Sequence, residues 1–188
     1  MNRIALIAVT MLLWAGWVHV AIGNEFRLAT SSRLTLGTAS RLSASLRSGD
    51  VDGDGDADVV VANGRHWPQA NMLFLNQGRA RFNIARQLGE QLETSYACEL
   101  GDLDGDGHLD LVVGNDQAPS LVWLGDGNGH FINHAHLGTP TSVRGVTLAD
   151  VDGDGSLDIL LTCRGSPNQI HLNDGEANFL ESLSFGTR

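Results

Sequence analysis

The stretch Gly49-Asp50-Val51-Asp52-Gly53-Asp54-Gly55-Asp56-Ala57-Asp58 decides the reading, because the chain carries it three times. Its copies, Gly101-Asp102-Leu103-Asp104-Gly105-Asp106-Gly107-His108-Leu109-Asp110 and Ala149-Asp150-Val151-Asp152-Gly153-Asp154-Gly155-Ser156-Leu157-Asp158, follow after 52 and then 48 residues. Self-similarity at such a period marks units that stack to share a core. Each copy runs into an apolar triplet, Val59-Val60-Val61, Leu111-Val112-Val113 or Ile159-Leu160-Leu161, which reads as a buried strand. A variable loop, a second strand and a turn come next, closing on Asn76-Gln77-Gly78, Gly125-Asp126-Gly127 and Asn173-Asp174-Gly175. Such turns supply the positive φ that hairpins need. Each then reaches a phenylalanine, Phe82, Phe131 or Phe179.

A unit of about 50 residues with four short strands has the content of one propeller blade. The expected fold is therefore all-β: β-propeller blades of four-stranded antiparallel sheets in three repeats, incomplete or completed by oligomerisation. The units run over 26–81, 82–130 and 131–178, with a partial unit at 179–188, inside a repeat domain of 24–188. Three blades leave two apolar sheet faces to be covered.

Within each loop, carboxylates stand at relative positions 1, 3, 5 and 9, with glycine at 4 and 6. Calcium takes six to eight oxygens, and alternate side chains of a tight turn converge on one point where glycine permits the turn. The spacing predicts up to three Ca2+ sites. The first uses Asp50, Asp52, Asp54 and Asp58 with the backbone carbonyl of Asp56, whose own carboxylate is expected to face solvent. The second uses Asp102, Asp104, Asp106 and Asp110 with the carbonyl of His108. The third uses Asp150, Asp152, Asp154 and Asp158 with the carbonyl of Ser156. An EF-hand is excluded, because its position 12 requires glutamate and here holds Val61, Val113 and Leu161.

The pattern Asp-x-Asp-Gly-Asp-Gly-x-x-Asp, then an apolar strand, then a glycine turn and Phe, resembles the FG-GAP/VCBS repeat family, which includes the calcium-bearing blades of integrin α-chains. The resemblance covers nearly all of 26–185. It implies that the acidic loop joins the first and second strands of a blade and that calcium holds that hairpin. Contacts concentrate in loops on a rigid scaffold, so the expected function is a binding, adhesion or assembly module. Some members of the family are polysaccharide lyases, so an accessory or catalytic part of a polysaccharide-degrading enzyme is the alternative. No Gly-x-Ser-x-Gly, His-Glu-x-x-His or phosphate-binding glycine loop occurs in the chain, and the non-enzymatic reading is preferred.

The 188 residues carry 12 Lys plus Arg against 22 Asp plus Glu, a net charge of -10. That balance repels nucleic-acid phosphates and anionic lipid, so nucleic acid is not an expected partner. At the N-terminus, Arg3 precedes an apolar run ending in Ala21-Ile22-Gly23, the pattern of a signal peptide over 1–23. The expected location is secreted, cell-surface or periplasmic, with no membrane span after cleavage; an uncleaved anchor is the weaker reading. Expected partners are a glycan or an extracellular protein, met by the loops at 63–71, 115–120 and 164–168, or a further copy of the chain. Trp67 reads either as a stacking residue or as local packing, and Trp123 as core. Cys98 and Cys163 permit one disulfide in an oxidising compartment, a pairing the spacing leaves open.

Overall fold

The computed structural model describes Leu36 and residues 39–186; the signal segment lies outside the described residues. The strands are β1 (Ser43–Gly49), β2 (Asp58–Asn63), β3 (Gln69–Leu75), β4 (Ile84–Glu93), β5 (Ser95–Gly101), β6 (Asp110–Gly125), β7 (Phe131–Ala149), β8 (Asp158–Cys163), β9 (Asn168–Leu172) and β10 (Glu181–Phe185). Among the described residues there is no helix, and every pairing is antiparallel. One sheet runs β1-β2-β3-β4, and a second runs β10-β9-β8-β7-β6-β5.

The second sheet is two blades joined through the long strand β7, and its other long strand, β6, lies within the second blade. A straight β6 would separate its ends by about 50 Å at roughly 3.3 Å per residue. Instead the Gly125 amide donates to Asp110 Oδ1 across 2.9 Å, so β6 folds back on itself. The turn falls at Gln117, whose φ is 59°. β7 pairs with β6 through Phe131–Leu137 and again at Thr141 and Ser142, and with β8 from Val143 onward, and Gly138 bends it at φ 62°. Three four-stranded blades result. The first is β1 to β4; the second is β5, both arms of β6 and the start of β7; the third is the end of β7 with β8, β9 and β10.

The strand alternation expected from apolar triplets separates two cores. Val60, Ala62, Leu73 and Leu75 of the first blade meet Cys98, Leu111, Val113 and Leu121 of the second. The opposite side of the second blade, with Ala97, Val112 and Val122, meets Val146, Ile159 and Leu161 of the third. Neighbouring residues of one strand thus serve different interfaces, Leu111 facing backward and Val112 forward. This explains why the triplets are apolar throughout instead of alternating with polar residues. Trp123 is half-buried against the first of these cores, as expected of a core residue.

Both cysteines are free thiols. Cys98 lies in the first core and Cys163 packs against the second, so the two thiols face different blade interfaces. Cys163 also occupies the place that Asn63 and Asn115 hold in the other blades, five residues past the last loop aspartate. Those two asparagines belong to a buried polar chain between the first and second blades. The Asn63 amide donates to Asn71 Oδ1 (2.8 Å), Asn71 Nδ2 to Ser95 Oγ (2.9 Å), and Ser95 Oγ to Asn115 Oδ1 (2.9 Å). It ends where Asn115 Nδ2 donates to Glu93 Oε2 at 2.8 Å. Burial raises the Glu93 pKa, opposed by that hydrogen bond and by His136.

Candidate metal centres and the opposite loop end

Each acidic loop joins the first two strands of its blade and is wound by its own carboxylates. In the first, Asp50 accepts the amides of Gly53 (2.8 Å) and Gly55 (3.0 Å), Asp52 accepts that of Asp54 (3.4 Å), and Asp54 that of Asp56 (2.9 Å). The second and third loops repeat the scheme through Asp102, Asp104 and Asp106, and through Asp150, Asp152 and Asp154. The two glycines are required here, since Gly53 and Gly55 sit at φ 74° and 88°, and their counterparts at 75° and 87°, and at 84° and 97°. Only glycine adopts such values without steric cost.

The ninth-position aspartate has a different task. Asp58, Asp110 and Asp158 are wholly buried. Each ties the loop to the second hairpin: Asp110 accepts the Leu103 amide at 2.7 Å and the Gly125 amide at 2.9 Å. Asp58 does the same for Val51 and Asn76, and Asp158 for Val151 and Asn173. Each carboxylate therefore replaces the ladder at the mouth of its blade.

These roles bring three carboxylates together in every loop. One oxygen each from Asp50, Asp52 and Asp58 lies within 4.8 Å of the others, and the same holds for Asp102, Asp104 and Asp110 and for Asp150, Asp152 and Asp158. Positions 1, 3 and 9 form the group. Asp54, Asp106 and Asp154 stand outside it, bonded to the amides two residues on. The side chains at position 7 turn away to cover the hairpin glycine of their own blade. A Cβ on Gly78 would lie 3.3 Å from Asp56 Oδ2, one on Gly127 2.3 Å from His108 Nδ1, and one on Gly175 3.0 Å from Ser156 Oγ. Asp56 is thus half-buried against the turn at Gly78, correcting the expectation that its carboxylate faces solvent.

The electrostatics favour a cation. Burial, followed by the charges of Asp58, Asp54 and Asp50, raises the Asp52 pKa. Asp110 is pushed up to about 6 by burial, with Asp104 and Asp106 adding repulsion against its two amide bonds. An all-oxygen donor set crowded to this degree fits a hard divalent ion, which would relieve the repulsion. All three clusters could hold one.

At the opposite end of the strands the blades are joined by a mixed aromatic and arginine cluster that sequence spacing did not reveal. Tyr96 OH lies 3.1 Å from His66 Nδ1, and the two rings meet edge-on with centroids 6.1 Å apart. The Arg144 guanidinium stacks 3.9 Å from the centre of the Tyr96 ring and reaches Asp116 at 3.2 Å. Asp116 is held below the usual carboxylate range: burial opposes this, but the Ser142 and Arg144 hydrogen bonds and the Arg144 and Arg164 charges prevail. The cluster therefore draws on all three blades. Trp67 beside it is 71% exposed, which places it among the contact-capable residues. His134 and His136 join no metal-ligating group among the described residues; His134 Nε2 faces the Ala177 carbonyl at 3.1 Å.

Four-stranded blades with an acidic hairpin at one end define a propeller-blade repeat protein. Residues 50–113 and 102–161 match the FG-GAP-like repeat, more than half of the chain, and the protein belongs to that family. It is also similar to integrin alpha-PS2 of Drosophila melanogaster, with 34% identity over 89 residues. That alignment covers 46% of this chain and 6% of the integrin, so the chain matches only a small part of this relative. Among the described residues, no helix is long and apolar enough to cross a membrane.

Proposed function

We propose that the protein is a secreted, calcium-stabilised binding module, non-enzymatic, whose acidic loops are structural and whose opposite loop end meets a glycan or an extracellular protein. The observation that carries the calcium reading is the threefold convergence of carboxylate oxygens within 4.8 Å. Asp50, Asp52 and Asp58, and their counterparts, supply the first ligands. Asp54, Asp106 and Asp154, with the carbonyls of Asp56, His108 and Ser156, complete the set by small rotations of the loop. The ion would join the two strands of each hairpin where the ladder is interrupted, and so act on stability. A ligand bound only by the native state raises stability by RT ln(1 + [L]/Kd).

Thermal unfolding in millimolar calcium, in magnesium and in chelator tests the reading. A midpoint raised by calcium over both other conditions is expected. An equal midpoint in calcium and chelator would remove calcium from the proposal. For the partner surface, the exposed Trp67 indole and the arginines Arg65, Arg144 and Arg164 suit an acidic sugar polymer, by stacking and by charge. Binding to an array of uronic-acid and neutral glycans should be lost in Trp67→Ala with unfolding unchanged. Retained binding in that variant would move the contact off this loop.

A further inference from the structure

A cleft of about 260 Å³ opens between the first two blades, walled by the second half of β4 on one side and by β6 and β7 on the other. A wide bulge builds it. Asn71 of β3 pairs with Leu88 and Gln69 with Glu93, so the four β4 residues 89–92 stand opposite Ala70 alone. A bulge of that size bends its strand and re-aims its side chains. Gln87 Nε2 holds it by donating to the Gly89 carbonyl at 2.9 Å. Gly89 sits at φ 70°, and a Cβ there would lie 2.7 Å from Trp123 Cη2. The glycine thus lets β4 pass beside the indole, which lines the cleft. Two polar groups of the lining have unused capacity. Glu93 accepts Asn115 Nδ2 through Oε2 at 2.8 Å, and its Oε1 meets no donor among the described residues. Asn71 is 6% exposed; its Nδ2 gives one hydrogen to Ser95 Oγ at 2.9 Å, and the other meets no acceptor among the described residues. Glu90 adds a second negative charge, and no lysine or arginine is among the described lining residues. The His136 imidazole is the one charged group set against the burial of Glu93, which makes that carboxylate's charge costly.

We propose that this cleft is a binding site for a sugar residue carrying a free amine, a glucosamine unit of a polysaccharide. Its ammonium donates to Glu93 Oε1 and supplies the cation that the half-buried carboxylate lacks. A sugar oxygen accepts the spare Asn71 hydrogen, so the unused donor and the unused acceptor are both satisfied. The apolar face of the ring lies on the Trp123 indole, whose π-system also attracts the cation. Other ligands meet the lining less well. A uronate would face the like charges of Glu90 and Glu93, and a neutral or N-acetylated sugar would leave Glu93 without a counter-charge. A lysine side chain would neutralise Glu93 but bring no acceptor to Asn71. Small-ligand pockets begin at roughly 300 Å³, so the cleft suits one ring whose polymer continues into solvent. This site is separate from the acidic-sugar contact at Trp67 and opposite to it in charge, so each stands or falls alone.

The test is calorimetric titration of the full chain, in calcium and physiological salt near neutral pH, with a glucosamine trisaccharide, its N-acetylated form and a lysine tripeptide. Saturable one-site binding of the glucosamine trisaccharide is expected, about tenfold or more tighter than either comparison probe, the worth of one charge-assisted hydrogen bond. No binding would overturn the inference. Equal binding of the N-acetylated form would overturn the role of the amine, and equal binding of the peptide would overturn the sugar. Glu93→Gln keeps an acceptor for Asn115 and removes the charge, and it should weaken binding about tenfold or more. Glu181→Gln removes the same charge from an exposed position on β10 and should leave binding unchanged. Full binding in Glu93→Gln would overturn the site, as would equal losses in both variants, the signature of attraction to net charge alone. Trp67→Ala should leave this binding intact, and a loss there would move the ligand out of the cleft. A chain that binds uronic-acid glycans but no glucosamine would leave the partner reading standing while this one fails.

Discussion

The second and third blades carry nearly the same loop, yet Leu103 is 1% exposed where Val151 is 43% exposed. Each amide is bonded to its ninth-position aspartate, at 2.7 and 2.9 Å. What differs is the blade that follows. Asn173 of the third blade reaches back to donate to the Leu103 carbonyl at 2.7 Å, and the Gly129 amide of the second blade likewise donates to Val51 at 2.9 Å. A loop's burial is thus a property of its successor, and the same ten residues carry different energetic weight according to their place in the stack.

That contrast sets the largest expected effect. Asp110→Ala strands two buried or partly buried amides, each costing about 1–3 kcal/mol unsatisfied, for a loss of roughly 2–6 kcal/mol. Asp158→Ala strands one part-buried amide, that of Val151, and one buried amide, that of Asn173, so a loss in the same range is expected. Denaturant titration of both variants in chelator, where no ion contributes, measures the two losses, and a loss under about 1 kcal/mol in either would show that its carboxylate does not hold the loop.

Core truncation sharpens it. Leu73 and Ile170 are equivalent positions, the first fully buried and the second half-buried. Leu73→Ala should lose about 2–5 kcal/mol, as buried large-to-alanine changes do. Ile170→Ala should lose less, since part of its side chain already meets water. The same titration decides it.

A smaller effect distinguishes the blades by pH. Phe74 and Trp123 of the first two blades are replaced in the third by His171, 4% exposed and with its pKa lowered by burial. The unfolded chain then takes up the proton more readily than the folded one. Stability from this position is present above the ordinary histidine value of 6.5 and is lost as pH falls through it toward the folded value. His171→Phe should flatten that part of the pH profile of the unfolding midpoint; an unchanged profile would place the acid sensitivity elsewhere.

The smallest effect belongs to the link between the first two blades formed by Arg47 and Glu99, 2.7 Å apart with side chains 41% and 23% exposed. Partly solvated pairs contribute under about 1 kcal/mol, further reduced by salt. A double-mutant cycle at low and high ionic strength should find a coupling within that bound, shrinking with salt.

Much of the molecule is legible in its residues. Asp/Gly loops at fixed spacing, apolar triplets after them and glycine turns beyond fix the three blades, because each is a local pattern read over ten to twenty residues. The place of Asp56 departs from the local expectation for a reason of the same kind. Its acidity suggests solvent, but it lies against Gly78, twenty-two positions away. The chain from Asn63 to Glu93 and the Tyr96–Arg144 stack were invisible for want of any local period, since their members come from different blades. A faint signal existed in the asparagines that follow the first two triplets, Asn63 and Asn115, where a strand would ordinarily continue with an apolar residue.

The sequence by itself determined the β architecture, the number of blades and the convergence of carboxylates, since these follow from short-range spacing and the backbone freedom of glycine. Only the tertiary structure decided which aspartates stand within 4.8 Å, which thiols face which core, and which equivalent side chains, such as Leu103 and Val151, are covered or open. Burial is set by what packs against a residue, and in a stack of near-identical units that depends on position in the stack and not on the residue.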